Sequence, residues 1–215
     1  MKKVAIVYNP IKIDDLEDRK QIAATLCAQF DFEAPRWIET SQQDPGKAMG
    51  HQALEEGADL VCAMGGDGTL RFVADALRGS GVPLGIIPEG TGNLLARNLD
   101  IPLDDFEAAL RIALSGEDRP IDVGVATFDG SREEVFLVIT GVGTDADTMA
   151  NTDSQLKKRI GWLAYGVAGF KALFRKGFKV SIDNDDDDPA THRQHASSYI
   201  CLLYTSDAAD DSLRV

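Results

Sequence analysis

The chain has 215 residues, 44% of them hydrophobic and 27% charged, the composition of a globular protein with room for one full domain and part of a second. Its 35 acidic residues against 22 basic ones give a formal charge of −13. That charge argues against a nucleic-acid partner, whose phosphates are bound by Lys and Arg, and against anionic membranes except where basic residues cluster.

Residues 3–8 (KVAIVY) form a short apolar run stopped by Asn9-Pro10, which predicts a buried first strand rather than a signal segment. Helical spacing over 15–30 places Ile22, Ala23, Leu26 and Phe30 on one face. A second strand is expected at 34–39. A helix follows Pro45, with Ala48, Met49, Ala53 and Leu54 as its apolar positions. Residues 59–64 (DLVCAM) predict a third strand, 69–78 a helix, 84–87 (LGII) a strand, and two further helices start near 92 and span 104–115. Strand alternating with helix implies an α/β fold, a doubly wound, mostly parallel sheet covered on both faces.

After Pro120 the pattern changes. Strands are expected at 121–128 and 135–140 (VFLVIT), joined through Asp129-Gly130, then a helical stretch over 153–175 and strands at 178–183 and 197–203. The organisation predicted is a nucleotide-binding catalytic domain over 1–120 and an incomplete β-rich second domain over 121–203. The acidic run Asp185–Asp188 reads as an exposed loop. Cys27, Cys62 and Cys201 lie far apart with no CxxC pair or Cys/His cluster, which suits a reducing compartment and not a disulfide framework or structural zinc. No stretch reaches the roughly 18 apolar residues of a membrane span, so a cytoplasmic protein is expected.

Two loops leaving strand ends carry the chemistry. The first is Gly65-Gly66-Asp67-Gly68-Thr69; the second is Pro88-Glu89-Gly90-Thr91-Gly92-Asn93. In an open parallel sheet, ligands bind at the carboxyl ends of the strands. Glycines there let backbone N–H groups approach a phosphate, and each loop feeds a helix N-terminus that favours anions. Tight turns alone could account for one such loop; two on successive strands, both with Thr and one with Asp, favour a ligand site. A carboxylate at Asp67 beside phosphates suits a site that holds Mg²⁺ or positions a hydroxyl for phosphoryl transfer. The plainer alternative is that Asp67 caps its own helix. No GxxxxGK[ST] loop occurs, and a GxGxxA string at Gly141–Ala146 lacks the acidic residue and first-strand context of a dinucleotide site, so it reads as a turn.

GGDGT at 65–69, PEGTGN at 88–93 continuing as LLARNLDIP to residue 102, and Asn9-Pro10 together resemble the catalytic domain of the diacylglycerol kinase family, which includes bacterial lipid kinases and is related to sphingosine and ceramide kinases. GGDGT alone also resembles NAD kinases, but the proline-led GTGN does not. The resemblance implies ATP and Mg²⁺ as cofactors and a lipid alcohol such as diacylglycerol as substrate. It implies that Asn9, Pro10 and Thr40 line the nucleotide site. Gly65, Gly66, Asp67, Gly68, Thr69, Leu70, Arg71 and Phe72 would wrap the phosphates, with Glu89, Gly90, Thr91, Gly92 and Asn93 in the second loop. Asp67 and Asp122 would form the catalytic acidic network, Asp67 at the metal. The family often has Asp after that asparagine, where this chain has Leu94, so a water-bridged metal contact would be missing or supplied elsewhere.

Residues 156–179 hold seven basic side chains (Lys157, Lys158, Arg159, Lys171, Arg175, Lys176, Lys179), no acidic ones, and Trp162, Tyr165, Phe170, Phe174 and Phe178. A helix packed on the second domain accounts for this; transient contact with an anionic membrane is the functional alternative, placing the protein at the membrane periphery. Tyr204–Val215 carry neither strand nor helix signals and resemble translated adapter sequence, so 204–215 is read as a non-native tail, with a disordered C-terminus as the alternative. The resemblance then implies a truncated kinase whose general base, in an Asp-Gly-Glu-like segment, lies beyond the end, so that Mg·ATP binding is weak and lipid phosphorylation slight. A homodimer is compatible with the resemblance. A non-lipid kinase of the same fold and a non-catalytic ATP-binding fragment are the remaining readings.

Overall fold

The computed structural model describes residues 1–116, 118–128, 131–143, 178–182, 192–196, 198–203 and 212–214. Two compact units divide the chain, Met1–Val138 with Leu203–Val215, and Ile139–Leu202.

The first unit is built on a four-stranded parallel sheet of β1 (Val4–Tyr8), β2 (Arg36–Glu39), β3 (Leu60–Gly65) and β4 (Leu84–Pro88), in the order β2-β1-β3-β4. Helices α1 (Leu16–Gln29), α2 (Lys47–Glu55), α3 (Asp67–Leu77), α4 (Leu94–Asn98) and α5 (Phe106–Ser115) connect and follow the strands. β1, β3 and β4 are buried along their whole length, which is why they read as unbroken apolar runs rather than as alternation. Ala5, Val7, Val61, Ala63 and Ile86 share one core cluster with Ala53 of α2 and Val73 and Leu77 of α3. Val4, Ile6, Cys62, Met64 and Ile87 share another with Ala23 and Leu26 of α1 and Leu110 and Leu114 of α5. The expected α/β class and parallel order are therefore present.

The helix faces differ in detail from the expectation. In α1 the buried residues are Ala23, Leu26 and Cys27, while Ile22 is 38% exposed. In α2, Gly50 and Ala53 are buried and Ala48 is exposed. Gly50 is where α2 meets α3: a Cβ there would stand 2.6 Å from the Ala76 Cβ. Burial pushes the Cys27 thiol up to about 11 and raises that of Cys62 as well, so both stay protonated and inert.

Asp44 starts α2. Its Oδ1 accepts from the N–H groups of Gly46 (2.9 Å) and Lys47 (2.7 Å), and its Oδ2 from that of Ala48 (3.0 Å). Burial works to raise its carboxyl, but these three donors outweigh it and hold the group below the ordinary aspartate value. A folded-state value below the unfolded one stabilises at neutral pH and is lost as pH falls through the acid range below about 4. Asp44→Ala should therefore cost about 1–2 kcal/mol at pH 7. Urea denaturation of both proteins should show that gap narrowing at pH 3; a gap that widens on acidification would contradict the capping role.

Four further strands belong to this unit among the described residues. β5 (Pro120–Asp122) is separated at Val123 from β6 (Gly124–Phe128), which forms an antiparallel hairpin with β7 (Arg132–Phe136). Ile121, Val123, Val135 and Leu137 enter the core cluster that contains α3, so the composition change after Pro120 falls inside the first unit. The 135–140 run divides at Leu137-Val138, with Ile139 opening β8 (Ile139–Gly143). Within the segment read as lacking strand signals, Ser212–Arg214 form β12, antiparallel to β5 with Leu213 opposite Ile121. This pairing is set by backbone hydrogen bonding at a sheet edge and not by side-chain pattern.

In the second unit, β8 pairs antiparallel with β11 (Ser198–Leu202), and β9 (Phe178–Ile182) with β10 (His192–Ala196). β10 was not expected; its sequence, HRQHA, has no apolar alternation. The helix predicted over 153–175, the basic aromatic stretch up to residue 177, Asp185–Asp188, 144–146 of the GxGxxA string and 204–211 lie outside the described residues. Among the described residues no helix is long and apolar enough to cross a membrane.

Candidate functional site

β3 and β4 lie side by side with Gly65 opposite Pro88, so the segments that leave them start level. The Glu89 N–H donates to the Gly65 carbonyl at 2.8 Å, extending the contact one step past the strands. Beyond it the backbones touch. A Cβ at Gly90 would lie 2.6 Å from the Gly66 Cα, and one at Gly66 would lie 3.3 Å from the Gly90 Cα. Neither position has room for a side chain, so the two glycines let the loops meet.

Asn93 shapes the second loop. It sits in the left-handed region (φ 50°, ψ 48°), which Asn tolerates better than most residues, and it is 5% exposed. Its Oδ1 accepts from the Gly90 N–H (3.0 Å) and its Nδ2 donates to the Gly90 carbonyl (2.7 Å). Asp67 then ties this loop to the first. Its Oδ2 accepts from the Asn93 N–H at 2.8 Å and its Oδ1 from the Leu94 N–H at 2.7 Å. Asp67 caps α4, the next helix, and not its own, whose N-cap is Gly66. Neither sequence-level role for this carboxylate anticipated that one.

Gly68 is different from the other loop glycines. It is exposed, its φ is ordinary, and a Cβ built on it would meet nothing within 4 Å. Glycine in a helix costs about 1 kcal/mol relative to alanine, and here no packing within the protein demands it. It stands in the first turn of α3, where the N–H groups of Asp67, Gly68 and Thr69 precede the first intrahelical bond, made by Leu70 to the Gly66 carbonyl (3.1 Å). This is an open cradle of backbone donors at the end of an eleven-residue helix. Thr69 is 5% exposed, its side chain packed under Gly65.

Arg19 of α1 is the main residue that sequence reasoning missed. Its guanidinium pairs with Glu89, is held from below by Asp15 (2.6 Å), and lies over the Phe106 ring at 5.1 Å. Burial would lower its affinity for the proton, but Glu89 and Asp15 outweigh that and raise it above the ordinary arginine value. The only trace in the sequence is an Asp–Arg i,i+4 spacing, which says nothing of residue 89.

The remaining positions divide. The Asn9 side chain accepts from the Ile11 N–H (3.1 Å) and caps a 3-10 turn at Pro10–Lys12; its own N–H reaches the Met64 carbonyl (3.2 Å). The Thr40 N–H donates to the Tyr8 carbonyl (2.9 Å), and Thr40 is buried. Asn9 and Thr40 directly follow the ends of the paired strands β1 and β2. Thr91 is exposed at the loop tip. Leu70, Arg71 and Phe72 are not brought to the loops. Leu70 is in the core, and the Arg71 guanidinium reaches Glu134 (2.7 Å) and the Val135 carbonyl (3.2 Å) on β7 while stacking on Phe72 (4.1 Å). Asp122 closes β5, opposite Ser212.

Among the described residues no group of three or more His, Cys, Asp or Glu side chains forms a metal cage. That fits Mg²⁺, which is usually held by one or two carboxylates together with substrate phosphates. Asp67 has lone pairs beyond the two committed to Asn93 and Leu94.

The diacylglycerol kinase of Bacillus subtilis (strain 168) is 34% identical over 177 residues, covering 80% of this chain and 56% of that protein. A protein of Klebsiella pneumoniae (strain 342) named probable lipid kinase YegS-like is 38% identical over 124 residues, 57% of this chain and 40% of that one. The chain spans about half the length of the curated relatives it matches. In fold it is similar to a crystal structure of a diacylglycerol kinase from Bacillus anthracis str. Sterne, with a TM-score of 0.65 at 23% identity over 93% of this chain and 63% of that one. Residues 3–126, which hold both glycine loops and Asp67, match the diacylglycerol kinase catalytic domain, and the chain belongs to that family.

Proposed function

We propose that this chain carries the Mg·ATP site of a lipid kinase that transfers the γ-phosphoryl group to the hydroxyl of diacylglycerol or a similar lipid alcohol. The observation that supports the reading best is Gly68, a glycine that no packing among the described residues requires, at the first turn of a helix, where N–H groups have no intrahelical acceptor. In this proposal the first-turn N–H groups of α3 bind phosphate oxygens, as helix N-termini do. Glu89, Gly90, Thr91, Gly92 and Asn93 cover the nucleotide from the second loop, and Asn9 and Thr40 line its other side. Asp67 and Asp122 hold Mg²⁺, which when bound neutralises charge on the phosphates. The arrangement of Asp67 keeps both loops in register while the phosphates bind. The lipid acceptor is proposed from the names of the relatives, a diacylglycerol kinase and a probable lipid kinase.

Gly68→Ala tests the site. Alanine fits the open space, so stability should be unchanged or higher by up to about 1 kcal/mol. A methyl group in the cradle should weaken Mg·ATP binding about tenfold or more, since close backbone approach is lost. Fluorescent-nucleotide titration alongside thermal unfolding reads both. Wild-type affinity in this variant would remove the main support for the reading. A thin-layer assay with labelled ATP and candidate acceptors distinguishes lipid from non-lipid kinases.

A further inference from the structure

The geometry points to Arg97 as the residue that grips the terminal phosphate of the nucleotide and so discriminates ATP from ADP; this rests on the nucleotide reading above. Two other arginines offer a comparison, Arg19 against the second loop and Arg71 farther along α3. Arg19 is neutralised by Glu89 and Arg71 by Glu134. Arg97, in the last turn of α4, is anchored differently: its Nε donates to the Gly92 carbonyl at 2.8 Å. A carbonyl fixes the position of a guanidinium without cancelling its charge. The two terminal nitrogens, four N–H donors in a planar fork, have no carboxylate partner among the described residues.

The anchor also sets where that fork lies. Gly92 packs against the metal-side carboxylate, since a Cβ there would stand 2.7 Å from Asp67 Oδ2. Arg97 is thereby tied to the same loop residue that packs on Asp67. A phosphate chain bound at the cradle and running past Asp67 would end at Arg97. The plainer account, a helix-end arginine favouring the dipole, would send the guanidinium to the last carbonyls of α4. Here it turns back to the loop before the helix. An arginine fork suits a phosphate because it can bind two oxygens at once.

The test is calorimetric titration of this chain with Mg·ATP and Mg·ADP, for wild type, Arg97→Gln and Arg97→Lys. Wild type should prefer ATP by about tenfold, the scale of one charge-assisted contact. Arg97→Gln should reduce ATP affinity to that of ADP while leaving ADP within about twofold, and Arg97→Lys should retain part of the preference. Equal loss for both nucleotides would mean that Arg97 only steadies the Gly92 loop, and no loss would mean that it touches neither; either overturns the inference. Wild type that binds neither nucleotide would instead overturn the site reading on which it stands.

Discussion

Replacing Asp67 with alanine should lower stability by about 2–3 kcal/mol and, under the proposed function, abolish Mg·ATP binding, because that reading gives one side chain two duties. Two backbone donors at the start of α4 end on its carboxylate. Hydrogen bonds to a charged group are worth about 1.5–3 kcal/mol each, less here because the site is only half-buried. The alanine result alone does not separate structure from catalysis. Asp67→Asn does. It keeps one acceptor oxygen, so stability should recover to within about 1–2 kcal/mol of wild type. It removes the charge, so metal-free ATP should bind at least as well as to wild type while the gain from Mg²⁺ disappears. Urea denaturation and nucleotide titration with and without Mg²⁺ read these separately. An asparagine variant that keeps the Mg²⁺ gain would place the metal elsewhere.

Gly90→Ala should be the opposite of Gly68→Ala although both change a loop glycine to the same residue. At Gly90 the new Cβ would stand 2.6 Å from the Gly66 Cα and 2.6 Å from Asn93 Oδ1. Neither neighbour can give way easily, one being backbone and the other held by two hydrogen bonds. Forced overpacking of this kind costs about 1–3 kcal/mol, and parting the loops would also strain the Glu89–Gly65 bond. Thermal unfolding should show a clear loss of stability, with nucleotide affinity falling beside it. A Gly90→Ala protein as stable as wild type would mean that the loops do not meet.

The sheet was readable from the sequence because burial on both faces leaves its mark along the strand itself. VAIVY, LVCAMG and LGIIP are unbroken apolar runs, followed by Asn9, Gly66 and Glu89-Gly90. The order and composition of the glycine loops pointed to one site, and the structure brings those loops into contact. What was not readable depends on partners distant in sequence. Nothing near Asp67 says that its oxygens cap a helix beginning at Leu94, and nothing near Arg19 names Glu89. Arg71 looked like part of the phosphate loop by position, yet helical geometry turns it toward β7. β10 and β12 were missed because pairing, not side-chain pattern, defines them. In α1, Cys27 is buried where Ile22 was expected, since a helix face is set by what packs on it.

The parallel order β2-β1-β3-β4 also has a kinetic side. Each parallel pairing waits for a crossover, and no neighbouring pair in this sheet can close as a hairpin. The contacts that shape the loops come later still, since Asp67 has no acceptor role until Asn93 and Leu94 are in place and Glu89 has no partner until α1 is docked. Closing such long loops precedes any reward from them, which makes folding slow and the partly paired sheet exposed. The junction of the two glycine loops is thus expected among the last features to form. A bound nucleotide would act as a late clasp, selecting chains whose first sheet is already complete.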